Sequence, residues 1–576
     1  MLLACALVLP AASARARTPK AERTHDVCPR LRFIGPEIKL SEVEKKLVCG
    51  DPGSDGWKNV SIPQARGFIT AFLQARGYHF PGFGVEGDTL DVRIGTTTVV
   101  TKLTGQGLSG IYDLGKRRKI VGQLLTPKLL DTAKQAVVFE LQSRGYACPS
   151  VVVTADARNG EVHVDADPGG RYEIARIQPA KVQKVDPRVF RRYESFQPGQ
   201  TFDTRLLSVT SDRVKQDELF LTAYYDAGCS TAGLHIDQKV VEGKPHLLKV
   251  GVGADTEGLL QAKGQFKISR LDARASSLEI DVFASSLEES LDALMNYYPS
   301  PTKRLFFVPE AFVRREDEIQ YEAAHSQVSF SPAWSHDGED LRVEVRGGPA
   351  YDYFNTIRGL GPQRSDWAAF ITRTQVMTHL YEYYQRDPRR GWRATLETSS
   401  RVRGLASRIS ANRMQLTGES LWNLGNYEPP LAVLATRGEA ATTWVADRSQ
   451  AFTQIPPTER FFLGGDADIR GFQRNRLPDD AEGFLTALYD GVELRAGDVL
   501  PAGVQPLVFI DAAMGGRDYF HVDPDVYYSP GAGVRWAPSF GEMRATFARG
   551  LTWRRGSPTE PPRPHWQFFF SFGKEF

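Results

Sequence analysis

Asp466 and Asp468 flank a single alanine directly after Gly464-Gly465. Two acids so close could bind a cation or share a proton, but beside glycine they are better explained as turn residues, because short carboxylates hydrogen-bond the local backbone. The histidines offer no better chemistry: His79, His163, His235 and His379 are scattered without ligand spacing. The sequence holds no Gly-x-Ser-x-Gly elbow, no His-Glu-x-x-His helix and no Gly-rich Lys-Ser/Thr phosphate loop. The expectation is therefore a protein that is not an enzyme, with no cofactor and no metal site. What remains is electrostatic chemistry. The run from Arg460 to Phe472 packs an aromatic pair, a Gly464-Gly465 turn and an Arg470-Gly471-Phe472 tip into one loop. Arg470 offers a planar fork that can meet a carboxylate with two hydrogen bonds. Asp511, in Phe509-Ile510-Asp511-Ala512-Ala513, lies on a run that reads as a strand able to face inward. A long loop folded into a lumen needs such an anchor, since a buried charge without its partner is costly. Gly471 would allow a tight turn that brings Phe472 against the wall.

The elements around this loop alternate. Leu278–Val282, Leu341–Arg346, Trp392–Thr398, Val492–Ala496 and Met543–Phe547 place apolar residues at every second position and charged ones between. Period two means strands with one dry and one wet face. The pattern persists over some 300 residues, too long for an ordinary sandwich, and fits a barrel with lipid outside and a watery lumen inside. Aromatic clusters at Tyr297-Tyr298, Phe306-Phe307, Tyr381–Tyr384 and Tyr527-Tyr528 suggest interfacial girdles. No apolar run is long enough for a spanning helix. With 71 Lys+Arg against 69 Asp+Glu, the chain lacks the basic excess of a nucleic-acid binder, so no nucleic acid is expected. Residues 247–576 leave room for about 16 strands.

Residues 1–14 read as an apolar export signal ending in Ala12-Ser13-Ala14, without the usual positive start. Of the five cysteines, Cys28 and Cys49 could pair in an oxidising compartment or remain small buried thiols. From about 28 to 246 the chain reads as mixed helix and strand. A helix ending in a Gly-aromatic corner occurs at Phe72–Tyr78, recurs at Glu140–Tyr146, and has a weaker copy at Tyr224–Cys229. A glycine suits a helix exit in the left-handed conformation. Helix-corner-strand units at a period of roughly 75 residues suggest small modules in series.

Three passages carry a family resemblance: the Arg-Gly-Phe loop at 460–472, the Phe509–Ala513 strand, and the ending Phe568–Phe576. The chain resembles the BamA/TamA superfamily of outer-membrane assembly barrels, and its N-terminal modules resemble polypeptide-transport-associated (POTRA) domains. Three modules before one barrel match the TamA branch. The resemblance implies α/β POTRA-like modules at 28–96, 97–170 and 171–246, followed by an all-β transmembrane barrel of about 16 antiparallel strands at 247–576. It implies a protein of the bacterial outer membrane with periplasmic modules, acting on client outer-membrane proteins and membrane lipid with a periplasm-spanning TamB-like partner. It assigns the Arg470–Asp511 contact, beside Phe509, to holding the loop. It also assigns lateral opening to the seam between first and last strands, here marked by Gly251, Gly253, Phe570, Phe572, Gly573 and Phe576. One departure is Ala513, where the family pattern has glycine. The alternatives are a general BamA-type assembly factor, a two-partner secretion transporter, a passive porin or receptor, and an outer-membrane hydrolase.

Overall fold

The computed structural model describes residues 23–50, 62–231, 233–404, 407, 409–497, 500–538, 541–554 and 565–572. The expected signal at 1–14, and Gly573 and Phe576, lie outside these residues. The chain divides into two compact units, residues 1–137 with 151–166, and residues 138–150 with 167–576.

The first unit opens with strands Thr24–Cys28, Leu31–Ile34, Thr89–Arg93 and Gly82–Glu86, adjacent in that order. Alternation puts Leu31, Phe33, Leu90 and Val92 on one buried face. Helix Ile62–Gln74 covers it with Ala65, Ile69 and Leu73, spaced one helical turn apart. Helix Glu42–Cys49 starts at a capping box of Ser41 and Glu44. It ends at Cys49, which is disulfide-bonded to Cys28. Gly77, at φ 86°, takes the chain out of the longer helix while the Tyr78 N–H donates back to the Leu73 carbonyl. A second sheet orders Lys102–Gln106, Glu161–Asp167 and Ser150–Asp156. Its helix Pro127–Gln142 leaves through Gly145, at φ 99°, with the same bond from Tyr146 to Leu141.

In the second unit a third sheet orders Ile174–Gln178, Gly233–Glu242 and Phe220–Ser230 beneath helix Thr204–Gln216. Here the expected third corner is corrected. Tyr224–Cys229 is the interior of a strand that pairs with Gly233–Glu242. Gly228 sits there for space, because a methyl at that point would collide with the His235 ring on the facing strand. A second disulfide, Cys148–Cys229, fixes this strand to the segment after Gly145.

The remainder is a closed barrel of sixteen antiparallel strands, from His246–Asp255 to His565–Phe572. The fold class expected from the alternation is thus the one observed. Along Gln505–Gly516, Leu507, Phe509, Asp511 and Ala513 are buried on the inner face, whereas Val508 and Ile510 are half exposed outside. One register therefore sends the carboxylate inward and the apolar residues toward lipid. Among the described residues no helix is long and apolar enough to cross a membrane.

The aromatic girdle needs two corrections. Tyr381–Tyr384 is no strand end. It belongs to the short helix His379–Tyr383 and its exit, whose first turn is capped by the Thr378 hydroxyl. Nor do Tyr297-Tyr298 and Phe306-Phe307 face lipid together. Successive strand residues point to opposite faces, so Tyr298 lies under the Arg192 guanidinium at 3.5 Å, while Tyr297 stacks with Phe307.

Candidate functional site: an internal loop clasped to the barrel wall

The connection between strands Ala432–Val445 and Thr486–Ala496 folds back on itself and is largely buried. Its two limbs zip through backbone bonds between Phe461 and Phe484 and between Leu463 and Leu477. Gly464 and Gly465 turn the chain at φ 118° and 116°, a conformation open to glycine. Asp468 sits in the turn and accepts the Gly464 N–H at 2.8 Å and the Ile469 N–H. Arg437 in the wall donates to the carbonyls of Asp466 and Asp468. Apolar residues fill the rest: Phe461, Leu463, Ile469, Phe472 and Leu477 pack with Ala441, Ala487, Tyr489 and Ala513 of the barrel. The Ala513 methyl, standing where the family pattern has glycine, is therefore part of the seat.

Arg470 is the polar centre of the loop and is 1% exposed. Its Nε and Nη2 donate to the two oxygens of Asp511, each at 2.8 Å, and its own backbone N–H donates to the same carboxylate at 3.2 Å. Nη1 donates to Glu493 at 2.6 Å. The guanidinium carbon lies 3.3 Å from the centre of the Phe509 ring, so its apolar face is covered while its edges are paired. Glu493 also receives Arg495 at 2.7 Å and Arg544 at 3.1 Å, and the Tyr489 hydroxyl reaches Asp511 at 3.4 Å. The sequence placed Glu493 and Arg495 on the wet face of their strand. Nothing in it paired Glu493 with Arg470, because alternation fixes a face and not a neighbour across the lumen.

The tip closes against the far strands. Phe472 is fully buried, edge-on to Tyr527 and His565. Gly471 serves differently from the expected tight turn. Its φ is not positive, and its backbone lies against that of Gly550 so closely that a methyl on either residue would overlap the other.

At the seam, Gly251 and Gly253 lie in the first strand, opposite Lys263 and Gln261 of its neighbour. Phe570 and Phe572 lie in the last strand, opposite Ala545 and Met543. Among the described residues the two strands meet at Ala254–Phe572 and Asp255–Ser571, with Thr256 bonded to Phe570. Glu257, the next residue, accepts the Asp466 N–H of the loop at 3.1 Å. The lumen beside the loop holds a cavity of about 600 Å³ edged by Glu310, Arg346, Arg373, Glu397, Arg413 and Glu439. Among the described residues no cluster of His, Cys, Asp or Glu could hold a metal ion.

Residues 339–576 match the Omp85 superfamily domain, a span that takes in the loop, its anchor strands and the described last strand. Among solved structures, BamA from Haemophilus ducreyi lacking POTRA domains 1–3 matches at 16% identity and TM-score 0.50, over 82% of this chain and 99% of that one. That likeness shows the fold. CdiB from Acinetobacter baumannii matches at 13% identity and TM-score 0.46, over 82% and 89%. POTRA domains 3–5 of Haemophilus influenzae BamA match at 15% identity and TM-score 0.25, over 39% and 100%. The matched domain lies within a closed β-barrel of the outer-membrane class, which small α/β modules precede in the sequence.

Proposed function

We propose that this barrel is an outer-membrane insertion and translocation factor of the TamA type, working by binding and strand exchange and not by enzymatic catalysis. Its clients are other outer-membrane proteins, its medium is outer-membrane lipid, and its partner is a periplasm-spanning TamB-like protein. The observation that carries this reading is the buried Arg470 held by Asp511 and Glu493. A passive pore has no need to fasten a large loop inside its own channel with a fully desolvated cation. Among the described residues three sheets precede the barrel, as the resemblance to the TamA branch implies. Their edge strands, such as Gly82–Glu86 with its exposed Val85, can capture extended peptides by β-augmentation. In this scheme the loop holds the lumen side of the seam while the seam admits a client strand. The client's own folding and lipid burial supply the driving force.

The test is Arg470→Ala in reconstituted vesicles. Removing one partner of a buried ion pair costs roughly 3–5 kcal/mol because the remaining charge is left unpaired. The tip of the loop is expected to detach and client insertion to fall at least tenfold, about 1.4 kcal/mol in the barrier, while the barrel still folds. A folded variant that inserts clients at the wild-type rate would sink the reading.

A further inference from the structure

A second buried ionic cluster lies at the other end of the same loop, away from the Arg470 tip. Glu459 closes a short turn, Pro457–Glu459, at the start of the inward limb. Its carboxylate receives Arg401 through two parallel bonds, Nη1 to Oε2 at 3.0 Å and Nη2 to Oε1 at 3.1 Å. Arg401 also donates to Asp352 at 3.2 Å, and Asp352 takes Gln327 at 2.7 Å and the His325 ring at 2.9 Å. Arg401 is 2% exposed, Asp352 0% and Glu459 5%. The guanidinium lies over Trp367 at 4.6 Å. Three wall strands, Glu322–Asp337, Leu341–Arg358 and Gly391–Arg401, thus converge on one loop carboxylate. The Thr443 hydroxyl adds a bond to the Glu459 carbonyl at 2.7 Å. The next residue, Arg460, donates to the carbonyls of Ala481 and Glu482 on the returning limb, and to Leu360 in a neighbouring hairpin.

We propose that Arg401 and Glu459 form a second clasp, which fixes the base of the loop while Arg470 independently fixes its tip. The two clasps use different strands. Arg470 is held by Thr486–Ala496 and Gln505–Gly516, and Glu459 by strands earlier in the barrel. The loop is therefore a strut fastened at both ends, and releasing Arg470 frees the tip alone. Charge balance makes the two sides of the base clasp unequal. Arg401 faces two carboxylates, so removing it leaves Asp352 and Glu459 buried without their cation. Removing Glu459 leaves Arg401 matched with Asp352, and the wall keeps a neutral pair. Glu459 is thus the position at which the base of the loop can be released without wrecking the barrel.

This inference rests on the loop being seated in the lumen, as in the reading above, but not on client insertion, and its test reads loop position directly. Single-channel conductance would be recorded in planar bilayers for Glu459→Ala, Glu459→Gln, Arg470→Ala and the double variant Glu459→Ala/Arg470→Ala. Folding is checked by heat-modifiable gel mobility. Glu459→Ala is expected to conduct several-fold more than wild type. Glu459→Gln retains an acceptor of the same shape and should fall between the two. The double variant should exceed either alanine variant. If Glu459→Ala does not fold, Glu459→Gln decides: conductance above wild type supports the second clasp. A folded Glu459 variant with wild-type conductance overturns the proposal, as does a double variant no more open than Arg470→Ala. Loss of insertion without a conductance change would speak for the functional reading and against this clasp. Raised conductance with full insertion would do the reverse.

Discussion

At the scale of single residues, burial decides which charges matter. Glu194, in the third module, shows the cost of burying an acid without a cation in direct contact with its carboxylate. It is 8% exposed, its carboxylate accepts one bond from Gln238 at 3.0 Å, and Arg304 binds its backbone carbonyl instead. Desolvation outweighs the nearby cations Arg191 and Arg304 and lifts its pKa from 4.5 to about 7. The sign follows from proton binding. Between those values the folded state keeps a proton that the unfolded state has lost, so stability falls as pH rises through that window and levels off above it. The full loss is about 3 kcal/mol, at 1.36 kcal/mol per pKa unit. Glu194→Gln should remove this slope, so chemical denaturation of the third module at pH 5 and pH 7.5 should give nearly equal midpoints in the variant and a lower midpoint at pH 7.5 in the wild type. Equal wild-type midpoints would show that the acid is not desolvated. The same rule explains what was readable at the loop. Arg470 and Asp511 could be singled out because both residue types sit in motifs with a structural reason to be buried. Glu493, Arg401 and Glu459 could not, because their burial comes from neighbours far away in sequence.

At the scale of elements, helix Thr204–Gln216 of the third module carries Arg213 into the end of the barrel where the first strand begins. Arg213 is 5% exposed and is bidentate to both Asp337 and Glu382, with bonds of 2.6 to 3.1 Å. Arg342 adds to Glu382 and Arg304 to Asp337. The Arg213 guanidinium holds the Glu382 carboxyl well below the usual carboxylate range. Its contribution is therefore complete at neutral pH and is lost only in strong acid. Arg213→Ala leaves two acids sharing weaker partners and should cost roughly 3 kcal/mol of docking. Amide exchange in Thr204–Gln216 should then rise by about two orders of magnitude while the barrel strands stay protected. Unchanged exchange would mean that apolar packing alone holds the module. This junction also explains a misreading. Tyr381–Tyr384 has the composition of a membrane girdle, yet it forms the helical turn that presents Glu382 to Arg213, with Tyr381 bonded to Glu419 and Tyr384 to Glu428. Composition cannot separate an aromatic belt from an aromatic turn. Period two could identify the strands, because each must turn one face to lipid. The recurring helix and Gly-aromatic motif identified the first two corners, where Gly77 and Gly145 are left-handed. At Gly228 the same pair of letters reflects only the room taken by His235.

At the scale of the whole molecule, the loop and the seam form one connected structure within the second unit. The first strand pairs with its neighbour at ten positions, from His246 to Asp255. Among the described residues it meets the last strand at Ala254 and Asp255. Asp255 also organises the hairpin that follows, accepting the Glu257 and Gly258 N–H groups. Glu257 then receives the loop at Asp466, four residues before Arg470. The seam is thus tied through the first hairpin to the loop that the Asp511 wall holds in place. Ala254 and Phe572 are direct partners across the seam, so their side chains leave the same face at a separation of roughly 4.5–5.5 Å between Cβ atoms, which a small approach of the two strands brings to the roughly 3.5–4.5 Å of a disulfide. Ala254→Cys/Phe572→Cys should therefore oxidise with only a local shift of the seam. If the seam admits client strands, the oxidised protein should insert clients far more slowly than wild type, and reduction should restore the rate. Insertion at the wild-type rate with the bridge fully formed would show that clients do not pass there, and the fastening of the loop would then need a purpose other than guarding an opening.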